Sequence, residues 1–205
     1  MTLADAVSLR SRRQKLRMFL AEMQPTAETT VLDVGVDEVG FGSEGGESGC
    51  STHNYFEEHY RWPAQITALG LHDGARFRRR YPAVTYVQGD ACELPFPDGA
   101  FDIVYSNAVI EHVGGHLRQQ AFVHEALRVG RRVFLTTPNR WFPLEVHTRL
   151  PLVHWLPAPA AQWAYDRVGK SWARENHLLG ARDLRELFPA PVRIVNLGMS
   201  LVAIT

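Results

Sequence analysis

Residues 86–113 read YVQGDACELPFPDGAFDIVYSNAVIEHV and contain most of two strand-like runs, each of which stops at a polar residue. The first run, Val84 to Gln88, stops just before Asp90, and the second, Phe101 to Ser106, stops at Asn107, after which a helix-like run begins. In an open α/β sheet, ligands lie outside the carboxyl ends of the parallel strands. We therefore expect Asp90 and Asn107 to face a ligand crevice, which favours a binding or catalytic domain over a scaffold.

The size and composition of the chain favour one globular domain. Its 205 residues, 45% of them hydrophobic, suffice for one sizeable core. The 22 basic and 22 acidic residues leave no net charge, which disfavours nonspecific nucleic-acid binding. The two cysteines, Cys50 and Cys92, have no CxxC partner, so no disulfide framework is expected. The first 23 residues carry charges throughout and no run is long enough to span a bilayer, so we expect a cytoplasmic protein without a membrane span.

Strand-like and helix-like runs alternate along the chain. The β-branched run from Thr30 to Val34 predicts a buried first strand. Further strands are predicted at 65–71, 84–88, 101–106 and 132–137, and helices at 3–23, 54–60, 75–81, 115–129 and 182–188. This alternation predicts βαβ units and a doubly wound, mostly parallel α/β sheet. Residues 192–197 and 200–205 predict an antiparallel hairpin that closes it.

The first predicted helix carries five basic residues. They are Arg10, Arg12, Arg13, Lys15 and Arg17. They could touch an acidic partner, but the rest of the chain balances their charge. We interpret them as a solvated face.

The order of these motifs resembles that of the class I S-adenosylmethionine-dependent methyltransferases. VLDVG at 31–35 is similar to the start of their first motif, residues 89–113 to the third-strand acid and fourth-strand motifs, and RRVFLTTPNR at 131–140 to the fifth strand. LPFPDGAFDIV followed by EHV is especially similar to the small-molecule group that includes the ubiquinone and menaquinone biosynthesis enzymes. The resemblance covers residues 28–140 and implies a Rossmann-like sheet of seven strands, with S-adenosylmethionine (SAM) at the carboxyl ends of the first four.

The first glycine motif departs from that family. The family turn is typically acid-x-Gly-x-Gly-x-Gly, whereas residues 33–39 read DVGVDEV and keep only Gly35. Val36 and Asp37 restrict how closely the backbone can approach a ligand. The loop 36–53 contains five glycines and would either fold over the cofactor or stay disordered.

The end of the second strand departs as well. The family usually carries an acid there that accepts hydrogen bonds from both ribose hydroxyls, but here His72 occupies the position and Asp73 follows. A neutral histidine has only one acceptor nitrogen. We expect Asp73 to hold the ribose after a small register shift, and the alternative is that Asp73 caps the following helix.

The resemblance assigns the remaining cofactor contacts. Asp33 and Gly35 would lie beside the methionyl group with Val36, and Asp33 could equally clasp backbone N–H groups. Asp90 would accept the adenine amine with Ala91 and Cys92 beside the ring; its alternative is a turn cap. Cys92 is expected to be a wall residue, because no partner that would lower its pKa is identifiable. Asn107 would line the methionyl side. These assignments, at Asp33, Gly35, Val36, His72, Asp73, Asp90, Ala91, Cys92 and Asn107, form the predicted cofactor site.

Two histidines are candidate catalytic residues. His112 follows Glu111 just beyond the fourth strand, and an imidazole there could act as general base for a hydroxyl. Its apolar neighbours favour the alternative of a buried structural histidine. His147 lies in an aromatic and proline-rich stretch that would suit an acceptor pocket, a packed lid or a dimer surface. His147 and His154 lack a third ligand, so no metal site is expected.

We divide the chain into a helical extension, residues 1–25, and a methyltransferase domain, residues 26–205, in which 141–180 form an acceptor-side lid or insertion. The resemblance implies methyl transfer from SAM, leaving S-adenosylhomocysteine (SAH), to a small-molecule or lipid-linked acceptor, at oxygen rather than carbon or nitrogen. The alternative is a noncatalytic binding or assembly module with the same fold. A homodimer is compatible with either.

Overall fold

The fold is built around one sheet, seen in a computed structural model that describes residues 3–36 and 54–205. The strands are β1 Val31–Val34, β2 Ile66–Gly70, β3 Thr85–Gln88, β4 Phe101–Asn107, β5 Gly130–Pro138, β6 Arg193–Asn196 and β7 Ser200–Ile204. The helices are α1 Leu3–Met23, α2 Tyr55–His59, α3 Ala75–Arg80, α4 His116–Val129, α5 Ala158–Arg167 and α6 Ala181–Glu186. Single 3₁₀ turns lie at Pro63–Gln65, Val153–Trp155 and Ser171–Glu175.

The topology is that of a doubly wound α/β domain. The strand order is β3-β2-β1-β4-β5-β7-β6. All pairs from β3 to β5 are parallel, whereas β7 runs antiparallel to both β5 and β6. The predicted seven-stranded, mostly parallel sheet with an antiparallel C-terminal hairpin is therefore confirmed.

Helices cover both faces of the sheet, which is why the inner strands are almost continuously apolar. One core layer contains Phe122 of α4 and Leu184 of α6. The layer on the opposite face contains Phe19 of α1, Phe56 of α2 and Phe77 of α3. All four residues of β1 are buried, so its one acidic residue faces the interior as well.

Helix α1 is anchored to the sheet through Phe19, which is fully buried. Its ring packs edge-to-face against Phe56, Tyr105 and Phe134, with centroids 5.1, 5.4 and 5.5 Å away. Each such aromatic pair contributes about 1 kcal/mol beyond its buried area. This anchoring brings the preceding turns of α1 over the carboxyl edge of the sheet.

The segment after β4 differs from the prediction. Residues 108–113 form turns, and the helix-like run predicted to follow Asn107 is wrong, because α4 begins only at His116. Ala108 has a φ of 60°, and its N–H donates to the carbonyl of Thr136 on β5. That contact holds the chain against the neighbouring strand and prevents helix formation there.

A long excursion, residues 140–178, leaves the sheet after β5 and returns beside it. Asn139 pairs with Leu179, and the N–H of Arg140 donates to the Leu179 carbonyl at 3.0 Å. The excursion has a small core of its own, formed by Val153, Tyr165 and Ala173. It starts and ends at the carboxyl end of β5, so it lies at the edge where ligands are expected. Within the described part of the chain, no helix is long and apolar enough to cross a bilayer.

Candidate functional site

Two adjoining cavities open at the carboxyl edge of the sheet. The first cavity, about 490 Å³, lies between the ends of β1, β2 and β4 and helices α1 and α2. The second cavity, about 480 Å³, lies between α1, the end of β5 and the excursion. Both sizes are typical of small-molecule sites. The residues that line both are Arg12, Asn107, Ala108 and His147.

Two buried carboxylates meet in the wall of the first cavity. Asp33, from β1, is 5% exposed, and Glu57, from α2, is 4% exposed. Neither carboxylate oxygen of Glu57 has a hydrogen-bond partner among the described residues. Burial, together with the charge of Glu57, raises the pKa of Asp33 well above its ordinary value. Burial likewise raises the pKa of Glu57 to about 7.

Among the described residues, no cationic side chain forms an ion pair with Asp33 or Glu57. Near neutral pH the carboxylate pair must hold a proton or accept a cationic ligand group, because two unpaired buried carboxylates are unfavourable. Sequence reasoning missed Glu57. The available signal was an acid in the first turn of a short helix, YFEEH, whose neighbours are aromatic.

Helix α1 supplies two cationic groups to the cavity walls. Lys15 is 7% exposed, and its Nζ donates to Oδ1 of Asn107 at 2.9 Å. Burial, then the nearby Arg12, lowers the pKa of Lys15 to about 8. Burial also lowers the pKa of Arg12. The interpretation of the α1 basic residues as a solvated face is wrong for these two. Arg12 lies three residues before Lys15, and Lys15 lies four residues before the buried Phe19, so the three residues share one side of the helix.

Asn107 connects α1 to the sheet at the boundary of the two cavities. Its Oδ1 accepts hydrogen bonds from Lys15 and, at 2.7 Å, from Oγ1 of Thr136 on β5. With its oxygen occupied by the protein, the amide can offer its N–H groups to a ligand. Asn107 thus lies at the edge of the sheet where the sequence predicted it.

A carboxylate–histidine cluster lies in the same region. Glu111 is fully buried, and its Oε2 accepts a hydrogen bond from Oγ1 of Thr137 at 3.0 Å. Its Oε1 lies 3.3 Å from Nε2 of His147 and 3.8 Å from Nε2 of His112. Burial alone would lower the pKa of His147, but the interaction with Glu111 outweighs it and the pKa is raised. Glu111 therefore stabilises the protonated form of His147.

The same three side chains could ligate a metal ion. Their ligand atoms lie within 4.8 Å of one another. One carboxylate and two imidazoles form a set that suits divalent transition metals. In the sequence, His147 and His154 have no third histidine or cysteine nearby, whereas the fold brings Glu111 and His112 to His147.

Seven of the predicted site residues line the first cavity. They are Asp33, Gly35, Val36, His72, Asn107, His112 and His147. Gly35 has a φ of 97°, and a Cβ there would come within 2.2 Å of a methyl group of Val109. This position therefore requires glycine for packing between strand ends, whatever its role toward a ligand.

Four other predicted residues are not in the wall of either cavity as lined by the described residues: Asp73, Asp90, Ala91 and Cys92. Oδ1 of Asp73 accepts the N–H of Ala75, the first residue of α3, at 2.9 Å, so Asp73 holds the start of the helix although Gly74 is its N-cap. Burial raises the pKa of the Cys92 thiol to about 11, which argues against a nucleophile, and the residue lines neither cavity.

Asp90 is held by a partner that sequence reasoning missed. Nη2 of Arg118, on α4, donates to both carboxylate oxygens of Asp90, at 3.0 and 2.7 Å. The N–H of Cys92 donates to Oδ1 at 2.8 Å. The hydrogen bond from Arg118, with that from the Cys92 backbone, lowers the pKa of Asp90. An adenine amine would therefore have to share this carboxylate with Arg118. No local pattern identifies Arg118, because it lies 28 residues away in the sequence.

Segments of this chain are similar to several methyltransferases. Residues 46–132 match the family model described as "Methyltransferase domain", which begins after the VLDVG segment. A probable S-adenosylmethionine-dependent methyltransferase of Mycobacterium tuberculosis is 42% identical over 69 residues, 32% of this chain and 24% of that protein. A fatty-acid O-methyltransferase of Mycolicibacterium smegmatis is 40% identical over 111 residues, 51% of this chain and 36% of that protein. The chain thus spans about a quarter to a third of these relatives.

A solved structure shows the same fold over nearly the whole chain. A protein from Pyrococcus horikoshii superposes with a TM-score of 0.56 at 16% identity, covering 96% of this chain and 89% of that one. The ubiquinone-like subgroup is not resolved by these matches.

The first cavity has the chemistry that SAM requires. SAM carries an ammonium and a sulfonium, which suit the uncompensated Asp33–Glu57 pair, and a carboxylate, which suits the guanidinium of Arg12. The cavity lies where α/β sheets bind ligands. By its topology the chain has the Rossmann-like fold of the class I methyltransferases, residues 46–132 are similar to a methyltransferase domain, and the matching proteins support S-adenosylmethionine as the cofactor.

Proposed function

We propose that this protein transfers a methyl group from SAM to an oxygen atom of a small-molecule or lipid-linked acceptor. The observation that carries the proposal is that the two cavities meet at His147, which is paired with the buried Glu111. A donor in one cavity and an acceptor in the other would react at this boundary. The oxygen preference is supported by the fatty-acid O-methyltransferase of Mycolicibacterium smegmatis among the relatives.

The first cavity is the proposed cofactor site. Asp33 and Glu57 would hold the methionyl ammonium, and Arg12 the carboxylate. His72, in the wall at the end of β2, would lie beside the ribose, with Asp73 fixing the start of α3. Asp90 would reach the adenine from the opposite side, together with the backbone of Ala91 and Cys92.

The second cavity is the proposed acceptor site. Its wall contains the apolar side chains of Val7, Leu144, Val146 and Met199. Arg149, on the excursion, adds a positive charge to this wall. Such a lining suits an apolar molecule with a polar or acidic end. The excursion would then act as the acceptor-side lid.

The bound cofactor supplies an electrophilic methyl carbon. Transfer is an in-line displacement in which the acceptor O–C bond forms as the C–S bond breaks, so the protein contributes mainly alignment. His147 would take the hydroxyl proton on the ring nitrogen that does not face Glu111. Glu111 would stabilise the imidazolium that results. Of the two cavities, His112 lines only the first, so we propose that it contacts the cofactor and that His147 is the general base.

The competing proposal is a noncatalytic module with the methyltransferase fold. The loss of two glycines from the first motif and His72 at the ribose position favour it. The two proposals differ in what replacement of His147 would do.

Two measurements distinguish the methyltransferase from the noncatalytic module: calorimetry with SAH, and methyl-transfer assays on a panel of fatty acids and phenols. We expect one SAH per chain, binding weakened by Arg12→Gln, and activity abolished by His147→Ala with SAH binding retained. His116→Ala, an exposed histidine on α4, is the matched control. Absence of SAH binding by the folded protein would refute the cofactor site, and SAH binding without transfer to any acceptor would favour the module.

A further inference from the structure

The exposed apolar side chains of this protein are concentrated on the excursion. Among the described residues, eight of the twelve large exposed hydrophobic side chains lie between residues 141 and 172. Four of the five tryptophans of the chain are among them: Trp141, Trp155, Trp163 and Trp172, with exposures of 64%, 45%, 67% and 51%. Exposed apolar side chains gathered in this way indicate an interaction surface.

Most of these side chains are spatially connected. The rings of Trp141 and Trp155 lie 6.4 Å apart. Leu156, next in the chain, borders a shallow groove of about 220 Å³ together with Trp163 and Val168. We call these five residues, Trp141, Trp155, Leu156, Trp163 and Val168, the tryptophan face.

Two exposed arginines border the tryptophan face, although the whole chain carries no net charge. The excursion, residues 140–178, contains five basic and three acidic residues. Of the acids, Glu145 is buried, Asp166 interacts with Arg174 and Ser171, and Glu175 is exposed. Arg140 lies 5.6 Å from the ring of Trp141, and Arg167 borders the groove. The exposed cations are thus interleaved with the exposed indoles.

This composition matches the surface of a bilayer that contains anionic lipid. Indole rings combine an apolar body with a polar N–H and accumulate at the headgroup level of membranes. Basic side chains nearby are attracted by anionic headgroups. A second copy of this chain fits less well, because a two-fold contact would place the face, with Arg140 and Arg167, against its own positive charge.

The excursion also connects this face to the second cavity, since Leu144, Val146 and Arg149 line that cavity. We propose that the tryptophan face docks on anionic bilayer surfaces. Docking would place the second cavity next to the membrane, from which an apolar acceptor can enter. This last step rests on the proposed function, whereas docking itself does not.

Co-sedimentation of the full chain with vesicles tests the proposal without SAM or acceptor. We expect binding to phosphatidylcholine vesicles containing phosphatidylglycerol, a blue shift of tryptophan fluorescence, quenching by brominated lipid, and loss of binding at high salt. The double variant Trp141→Ser/Trp163→Ser should bind about tenfold more weakly or worse. Leu117→Ser is the matched control, because Leu117 is 80% exposed on α4 and is not part of the tryptophan face.

The charge contribution is measured separately. Arg140→Gln and Arg167→Gln should each weaken binding to the anionic vesicles about fivefold, and Arg79→Gln, on α3, should not. Circular dichroism verifies that each variant is folded, and brominated-lipid quenching of the unmodified protein gives a result that does not depend on any variant.

Two results would overturn the proposal. One is the absence of vesicle binding or of quenching in the unmodified protein. The other is a dimer in light scattering that Trp163→Ser dissociates, which would assign the face to a second copy. SAH calorimetry is independent of all these measurements, so failure of docking and failure of the proposed function are distinguishable.

Discussion

Replacing Glu57 with glutamine tests the buried carboxylate pair directly. A glutamate with an ordinary pKa of 4.5 in the unfolded chain and about 7 in the folded protein favours folding only while it is protonated. Its contribution is therefore fully present below about pH 4.5 and is lost as the pH rises to about 7. The difference between these two pKa values corresponds to about 3 kcal/mol.

Glu57→Gln should remove this pH dependence. We expect the variant to be more stable than the unmodified protein by about 2 to 3 kcal/mol at pH 8, with little difference near pH 4.5. Urea unfolding at a series of pH values measures this. Calorimetry should show SAH binding about ten- to a hundredfold weaker, because an ammonium loses a charged acceptor. Glu58→Gln is the control, since Glu58 is exposed and pairs with Arg80.

The reasoning about the pair would be refuted if Glu57→Gln destabilised the protein equally at both pH values. It would also be refuted if Glu58→Gln reproduced the pH effect, since that would assign it to surface charge. Unchanged SAH affinity in Glu57→Gln would remove Glu57 from the proposed cofactor site and leave the stability argument intact.

Three further outcomes follow from the geometry. Gly35→Ala should lower the free energy of unfolding by about 1 to 3 kcal/mol, because the new side chain would have a positive φ and would clash with Val109. Adding Val109→Ala should restore part of the lost stability in thermal unfolding. Lys15 has a pKa of about 8 in the folded protein against an ordinary 10.5, so the free energy of unfolding should rise as the pH rises through this range. Lys15→Met should lack this increase in urea unfolding. The same pH dependence in both proteins would contradict the lowered pKa of Lys15. Arg118→Gln should change stability by less than about 1 kcal/mol, because the pair with Asp90 is half exposed, and a larger loss in urea unfolding would show that this pair stabilises the fold.

Local sequence patterns predicted the secondary structure well, because burial on both faces leaves apolar runs that end in polar residues. The strand ends at Asp33 and Asn107 were identified in this way, and both lie in the first cavity. The exception, residues 108–113, shows the limit of the method. That segment has an apolar composition, but a hydrogen bond to Thr136 on β5 decides its conformation.

The sequence by itself determined the succession of strands and helices along the chain, the edge of the sheet at which the cavities open, and the resemblance to methyltransferases. These features depend on residues that are neighbours in the chain. Tertiary structure alone decided which charged groups meet at that edge. Lys15 reaches Asn107 across 92 residues because Phe19 anchors α1 on the sheet, and Glu57 faces Asp33 because α2 packs on the same side. Such pairs are created by packing between distant segments, and no pattern along the chain records them.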